Sequence, residues 1–399
     1  MVLDKANGEL LKLIAICRDV SCERGYEWQG ILGETNIGRL IAEGLLYISR
    51  DGRYYRVTQV GYDLLNSMGH GYQPDTSRES DKRKLEHRDM TAQVMMTLLL
   101  AGIDVSASDI SEVVKSNVYL AASGIRRLQW ESKQNSISNS RIKGLTKDYV
   151  FYYITEPNGI LYYKNETKTA MDLLNRAFRD GVRDMPAETI RQPSVVYMGA
   201  DYPYLCAAVT RPKAKGHSYR SAYDSFKQPV YLCPCGPDGA FQMRVMLQPD
   251  YRARLINVLF PNGCDIGGES DYGGCDGLYK GEPFIVGIDM DLRRMSDVIK
   301  AAGKRGVKTH IFARQCQCDA LRGVFRDHGV RLYRLEDAEI MDAFSFSMPL
   351  LEPSGREPYY TKEGRCISDE DIQACREARK ACRKKAKAAE KVPHLYRDN

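Results

Sequence analysis

The sequence predicts an α/β fold (α+β overall) made of three regions in a row. Apolar residues recur at helical spacing near the amino terminus and are followed by a hairpin pattern. Strand-like and helix-like runs then alternate, which is typical of an α/β body. We therefore expect an N-terminal domain over residues 1–75, a body over 82–355 with a sub-boundary near 190–280, and a basic helical tail over 366–399.

The bulk composition predicts a globular protein of the cytoplasm. Of the 399 residues, 43% are hydrophobic and 28% are charged, and the net charge is +6. The 12 cysteines are scattered along a long chain, a pattern that favours free thiols in a reducing compartment. The first residues lack a secretory pattern, and the longest apolar run, Val94 to Gly102, is far shorter than the roughly 20 residues of a membrane span.

The N-terminal region opens with two predicted helices. The first runs from about Asp4 to Arg18, with its apolar residues on one face. The second contains Ile37, Leu40 and Ile41. It ends at Gly44, because glycine readily adopts the left-handed conformation that closes a helix.

A hairpin and a third helix are predicted next. Residues 45–58 form the hairpin, with Asp51-Gly52 as its turn, since a tight turn requires positive φ. Thr58 is a suitable N-cap for the helix from Gln59 to Ser67.

This order of helices and basic hairpin resembles the winged helix-turn-helix domain over about 70 residues. The resemblance implies that the helix before Gly44 enters the major groove of duplex DNA and that the hairpin is the wing on the phosphate backbone. By this resemblance the candidate base-facing residues are Thr35, Asn36 and Arg39, and the candidate wing contacts are Arg50, Arg53 and Arg56.

The charge of this region leaves an alternative open. Residues 1–75 hold eight Lys and Arg against ten Asp and Glu, a net of −2. Phosphate neutralisation dominates DNA affinity, so the region alone should bind DNA weakly. It could instead serve as a protein–protein or dimer module, in which case the chain would be an interaction adaptor.

The body contains two predicted blocks. In the first, a strand at Asp148 to Ile154 pairs as a hairpin with Gly159 to Tyr163 and leads into a helix from Lys168 to Arg179. The second, residues 284–333, is a β-α-β-α-β unit with parallel strands and right-handed crossovers.

The C-terminal region is predicted to be one basic helix from Ser368 to Lys391. It holds eight Lys and Arg between Arg376 and Lys391 and has no broad apolar face. Either it is a solubilising tail or it binds nucleic-acid phosphates, with the candidate contacts Arg379, Arg383 and Lys384.

A magnesium-dependent nuclease is the rival hypothesis. Glu166-Thr167-Lys168 is a literal Glu-x-Lys after one strand, and Asp148 begins the preceding strand. A hairpin can deliver such carboxylates to one Mg²⁺ over a scissile phosphate.

The order of regions over Leu3 to Arg179 also resembles the plasmid replication-relaxation family, which pairs a winged helix with a restriction-endonuclease-like fold. Leu85-Glu86-His87-Arg88 and Ser140-Arg141-Ile142-Lys143-Gly144 carry this resemblance. Where that family has Pro-Asp-Gly, this chain has the cations Arg141 and Lys143, which would repel Mg²⁺. The resemblance therefore implies a degenerate core kept as a scaffold.

Other metal and nucleotide motifs are weak. Asp289-Met290-Asp291 after an apolar strand could hold Mg²⁺, but an N-cap role is the favoured interpretation. Cys233, Cys235, Cys264 and Cys275 could bind zinc, although their spacing is not that of a zinc knuckle. The six histidines are isolated, and no Gly-Lys-Ser/Thr phosphate loop is present.

These observations favour a non-catalytic DNA-binding protein of mobile-element type that needs no cofactor. Its role would lie in replication, transfer or transcription control. Its partner would be double-stranded DNA, and its body would position the N-terminal domain or form a homodimer.

Overall fold

The computed structural model confirms the α/β class. It describes residues 5–32, 36–68, 82–107, 112–113, 118–122, 124, 142–154, 193–210, 223–224, 226–264, 272–326, 328–346, 359–360 and 366–367. The chain divides into two compact units. Residues 1–89 and 351–399 form the N-terminal unit, and residues 90–350 form the α/β unit.

Among its described residues up to Met68, the N-terminal unit packs four helices with a three-stranded antiparallel sheet. Its strand order is β1-β3-β2. The elements are α1 (Lys5–Cys17), β1 (Val20–Ser21), α2 (Cys22–Leu32), α3 (Ile37–Ala42), β2 (Leu46–Ile48), β3 (Tyr54–Val57) and α4 (Gln59–Ser67). The predicted helices α1, α3 and α4 and the predicted hairpin are therefore confirmed, whereas α2 and β1 were not foreseen.

Side-chain caps fix the starts of two of these helices, and the sequence predicted the one at Thr58. The Thr58 side chain accepts a hydrogen bond from the Gly61 amide and caps α4. Asn36 caps α3 in the same way through the Arg39 amide. Gly52 has φ of 74°, as the predicted turn requires.

Helix α2 was overlooked because it contains Gly25 and Gly30, which lower helix propensity. Close packing explains why a glycine occupies position 25. A Cβ at this position would lie 2.6 Å from Cδ2 of Tyr55, so the absence of a side chain lets the Tyr55 ring pack against the helix.

Helix α5 (Lys82–Leu100) follows, and the boundary between the two units falls inside it. After α5 the α/β unit contains a six-stranded mixed sheet in the order β4-β5-β6-β7-β8-β9. Its strands are β4 (Asp104–Ala107), β5 (Val118–Ala121), β6 (Ile142–Leu145), β7 (Tyr149–Tyr153), β8 (Ser194–Gly199) and β9 (Val230–Pro234). The helices that follow β8 and β9 are α6 (Tyr202–Thr210), α7 (Pro237–Met246) and α8 (Tyr251–Leu259).

The hairpin predicted for Asp148 to Ile154 with Gly159 to Tyr163 is wrong. Strand β7 pairs along one edge with β6 in antiparallel sense and along the other edge with β8 in parallel sense. Both edges are therefore occupied, and no edge remains for the predicted partner. The residues of that partner and the predicted helix from Lys168 to Arg179 lie outside the described residues.

The predicted β-α-β-α-β order and its parallel strands are confirmed. This region forms a second sheet in the order β10-β11-β12-β13, in which β11, β12 and β13 are parallel. The elements are β10 (Gly277–Tyr279), β11 (Glu282–Val286), α9 (Leu292–Lys304), β12 (Thr309–Arg314), α10 (Gln315–Val324), β13 (Val330–Leu335) and α11 (Asp337–Phe344).

A buried polar network joins the two sheets of the α/β unit. Gln242 Nε2 donates to the carbonyl of Leu232 at 3.0 Å and to that of Asp289 at 3.1 Å. The Tyr202 hydroxyl lies 2.9 Å from Gln242 Oε1 and 3.2 Å from Gln317 Nε2. Because buried polar groups are costly unless paired, these bonds favour one arrangement of the two sheets.

The predicted basic C-terminal helix lies outside the described residues. Two short strands before it, β14 (Tyr359–Tyr360) and β15 (Cys366–Ile367), form an antiparallel ribbon. In the part of the chain that the structure describes, none of the helices has the length and hydrophobicity needed to cross a membrane.

Candidate nucleic-acid interface

Helix α3 presents one arginine away from the core of the N-terminal unit. Ile37 and Leu40 are buried, whereas half of the Arg39 side chain is exposed (50%) beside Glu43, to which its Nε donates at 2.9 Å. Asn36 accepts from the Arg39 amide at 2.8 Å, so its Oδ1 stabilises the start of the helix. Of the three predicted base-facing residues, Asn36 and Arg39 are thus brought together, and Thr35 lies outside the described residues.

The turn of the β2–β3 hairpin presents Arg50 and Arg53 at the surface. Arg53 Nε donates to Asp51 Oδ2 at 3.0 Å, and the Arg53 side chain is 71% exposed. The turn is fixed by the Ser49 amide, which donates to the Tyr54 carbonyl at 2.8 Å. Desolvation alone would raise the pKa of Asp51, but hydrogen bonds from Ser49 and Arg53 outweigh it and lower that pKa. At neutral pH the turn therefore carries a negative charge beside its arginines.

Arg56 has a different environment from the other two hairpin arginines. Its Nε donates to Oδ1 of Asp19, and Arg88 Nη1 donates to Oδ2 of the same carboxylate. The Asp19 side chain is only 2% exposed and that of Arg56 is 17% exposed. This pairing engages the guanidinium within the unit and disfavours the predicted wing contact at Arg56, whereas Arg50 and Arg53 lie exposed in the turn.

The pairing of Asp19 with Arg88 could not be predicted from the sequence. The two residues are 69 positions apart. No periodicity or motif links them, because their partnership depends on how α5 and the hairpin pack in three dimensions.

The candidate nuclease residues are not brought together within the described residues. Asp148 is exposed in the turn between β6 and β7, and Glu166 and Lys168 lie outside the described residues. On β6 itself, Lys143 is buried, and its Nζ lies 4.0 Å from the Met90 sulfur. Lys143, one of the two cations that the sequence places at this stretch, is therefore part of the sheet.

Asp289 and Asp291 follow β11, and the charge of Asp289 is already balanced by arginines. Asp289 is fully buried, and its Oδ2 accepts from Arg252 Nη2 at 2.6 Å and from the Tyr251 hydroxyl at 2.8 Å. Arg294 Nη2 approaches the same oxygen at 3.5 Å. Two cations at one carboxylate disfavour a further cation there, so this motif is a poor magnesium site.

Asp291 has the N-cap role that the sequence analysis favoured. Its Oδ1 accepts from the amides of Arg293 and Arg294 at the start of α9. Burial and the negative charge of Asp289 raise the pKa of Asp291.

The four candidate zinc cysteines do not form a ligand set. Cys233 is fully buried, and its thiol donates to the Gly239 carbonyl at 3.5 Å. Burial raises the pKa of Cys233 well above its ordinary value, which disfavours the thiolate that zinc requires. Among the described residues, no group of three or more His, Cys, Asp or Glu side chains could hold a metal ion.

Comparison of the chain with protein-family models, curated proteins and solved structures gave no match.

Substitutions of Arg56 and Arg53 should differ in their effect on the free energy of unfolding. We expect Arg56→Met to lower the free energy of unfolding of the N-terminal unit by about 1.5–3 kcal/mol, because it removes a charged hydrogen bond from a buried carboxylate. The matched change Arg53→Met should cost at most about 0.5 kcal/mol, because its ion pair is exposed. Urea unfolding followed by Trp28 fluorescence in a Trp130→Phe background measures both, and equal losses would contradict the assignment of a structural role to Arg56 alone.

Asp289 should make stability dependent on acid pH. Burial alone would raise the pKa of Asp289, but Arg294 and Arg252 outweigh it and hold that pKa below its ordinary value of 3.8. The stabilisation is therefore complete above the pKa of the unfolded carboxyl and is lost as pH falls through the lower folded pKa. We expect Asp289→Asn to cost about 3–5 kcal/mol at pH 7, because it breaks a buried ion pair, and the difference from wild type to shrink below about pH 4.

The control for this experiment is Asp291→Asn. Asparagine caps a helix as well as aspartate does, so this variant should lose at most about 1 kcal/mol at pH 7. Unfolding monitored by circular dichroism at both pH values distinguishes the two. A pH-independent loss for Asp289→Asn would show that the Asp289 charge has no part in stability.

Proposed function

We propose that this chain is a non-catalytic, cytosolic DNA-binding protein whose N-terminal unit is a winged helix-turn-helix. The observation that carries the proposal is the order of elements around α3. Helices α2 and α3 follow one another across a short connection, and the β2–β3 hairpin comes directly after them. The exposed side chains of Arg39 on α3 and of Arg53 in the hairpin turn suit a polyanionic partner.

In winged-helix domains one helix contacts the bases and the hairpin contacts the phosphates, and the positions of α3 and the β2–β3 hairpin suit these two roles. A helix in the major groove places side chains against base edges, and arginine is the most common reader of guanine there. Arg39 is the candidate for this role. Arg50 and Arg53 would contact phosphates, because a wing lies along the backbone and provides positioning contacts that do not depend on sequence.

The electrostatics predict modest affinity for the N-terminal unit alone. Arg39 and Arg53 are each paired with a carboxylate, and residues 1–75 have a net charge of −2. Phosphates must compete with these carboxylates for the arginines. Further cations elsewhere in the chain are therefore required for tight binding.

The biological setting that we propose follows from the resemblance to plasmid replication-relaxation proteins. It is the replication, transfer or transcription control of a mobile element. The α/β unit would act as a scaffold for the N-terminal unit or as a homodimer contact.

The proposal predicts a specific change in salt dependence. Titration of duplex DNA with the full-length chain should give a log K that falls linearly with log salt concentration. In the double variant Arg50→Ala and Arg53→Ala, the slope should become shallower by about 1.8, since each lost phosphate contact removes about 0.9.

Arg322→Ala is the matched control, because Arg322 is an exposed arginine of the α/β unit that also pairs with a nearby aspartate. Its slope should equal that of the wild type. An unchanged slope in the double variant would count against the hairpin contact. No binding of any duplex at low salt would refute the proposal and favour an interaction adaptor.

A further inference from the structure

One edge of the second sheet of the α/β unit carries a concentration of exposed cations. Strands β11, β12 and β13 are parallel, so their amino-terminal ends lie along the same edge of this sheet. Residues 280–282, 304–308 and 326–331 enter these strands and hold six Lys and Arg against two acids, a net of +4 in a chain whose net charge is +6. The cations of this surface, called here the basic edge, are all exposed: Lys280, Lys304, Arg305, Lys308, Arg326 and Arg331.

Hydrogen bonds tie the three segments of the basic edge together. The Lys308 amide donates to Glu282 Oε1 at 3.1 Å and joins the second segment to the first. The Thr309 amide donates to the Gly329 carbonyl at 3.3 Å and joins the start of β12 to the third segment. The cations are therefore attached to backbone positions that are fixed relative to one another.

The described acid of the basic edge, Glu282, is already engaged. Its Oε2 lies 2.8 Å from His310 Nε2 and 3.5 Å from Arg331 Nη1. Within the described residues, no ion pair involves three other cations of the edge, Lys304, Lys308 and Arg326. The charges of these three side chains are therefore available to an anionic partner.

The ends of the neighbouring helices account for only part of the positive charge. Lys304 lies in the last turn of α9, where a cation stabilises the helix dipole. A helix carboxyl end carries about half a negative charge, so the ends of α9 and α10 together offset about one of the four net charges. The basic edge therefore has more cations than these two helices need.

The surroundings of the basic edge favour a nucleic acid over a membrane or a protein. Membrane-binding surfaces combine cations with exposed apolar side chains, and the cores of protein interfaces are poor in charge. Within the described residues, the exposed large hydrophobic side chains all lie in the N-terminal unit, at Tyr47, Ile48, Val60 and Met68. Interfaces with nucleic acids are instead polar and strongly positive, as the basic edge is.

We propose that the basic edge is a second DNA-contacting surface, at which Lys304, Lys308 and Arg326 bind the phosphate backbone of duplex DNA without reading its sequence. This inference rests on the proposed function, because it takes the same partner. It assigns to the α/β unit the additional cations that the N-terminal unit lacks.

The width of the basic edge suits this role. Neighbouring strands lie about 4.8 Å apart, so the ends of three strands span about 10 Å. Over that length one strand of a duplex presents about three phosphates, at about 3.4 Å of helix axis per charge. Each of the three cations can therefore contact a phosphate of its own.

Three full-length proteins test the inference: the wild type, an edge variant and a control variant. The edge variant carries Lys304→Gln, Lys308→Gln and Arg326→Gln. The control variant removes the same charge from the same unit through Lys300→Gln, Arg322→Gln and Arg334→Gln. Each cation removed in the control is exposed and already paired with a nearby acid, namely Asp297, Asp319 and Glu336. Affinity for a duplex of random sequence is measured across a series of salt concentrations, and thermal unfolding checks that each protein is folded.

The basic edge predicts that the plot of log K against log salt for the edge variant is shallower than that of the wild type by about 2.7, for three contacts of about 0.9 each. Its affinity at low salt should fall by at least about ten-fold, because fewer counterions are released from the DNA. The control variant should have the wild-type slope. A wild-type slope in the edge variant would overturn the inference. Equal losses in the two variants would also overturn it, because net charge alone would then explain them.

A second arm uses vesicles that contain phosphatidylserine. Loss of vesicle binding in the edge variant, with duplex binding as in the wild type, would assign the basic edge to a membrane surface and overturn the inference.

Failure of the proposed function looks different. If the wild type binds no duplex at low salt, the proposed function and the basic edge are both refuted. If the Arg50→Ala and Arg53→Ala double variant has a shallower slope and the edge variant does not, the proposed function stands and the basic edge is refuted. The reverse result would support the basic edge and count against the hairpin contact.

Discussion

A buried carboxylate requires a cation. In this structure two buried aspartates each engage two arginines, and this separates the arginines that stabilise the fold from those exposed at the surface. Asp19 is 2% exposed and engages Arg56 and Arg88. In the α/β unit, the fully buried Asp289 engages Arg252 and Arg294 in the same way. Leaving such a charge unpaired would cost several kcal/mol, typically about 3–5, which exceeds the contribution of a surface ion pair. These arginines are therefore structural.

The same requirement shapes the proposed DNA surface. Arg56 lies near the base of the hairpin and stabilises it through Asp19, while Arg50 and Arg53 lie in its turn and remain exposed to solvent. The exposed pair between Arg53 and Asp51 can exchange its carboxylate for a phosphate, since exposed ion pairs are weak. The base of the hairpin thus contributes to the stability of the fold, and its turn is suited to binding a ligand.

The sequence predicted those elements that local signals specify. The cap at Thr58 and the turn at Gly52 are set by residues next to them, and both were confirmed. The parallel order of β11, β12 and β13 was also predicted, because strands of one sheet that are joined through helices run in the same direction.

Features that depend on distant residues were missed. The sequence suggested a local hairpin between Asp148 to Ile154 and Gly159 to Tyr163, yet β7 pairs with β6 and β8 and has no free edge. The partnership of Asp19 with Arg88 joins residues that no pattern connects. In the candidate site, the sequence identified Arg39, Arg50 and Arg53, but it could not show that Arg56 is held inside the unit.

Amide hydrogen exchange of the full-length chain with and without duplex DNA tests the central claim most directly. The account predicts slower exchange in α3 and in the turn at residues 49–53 when DNA is bound, because these segments would lie against the groove and the backbone. Unchanged exchange in both segments, with protection confined to the α/β unit, would contradict it.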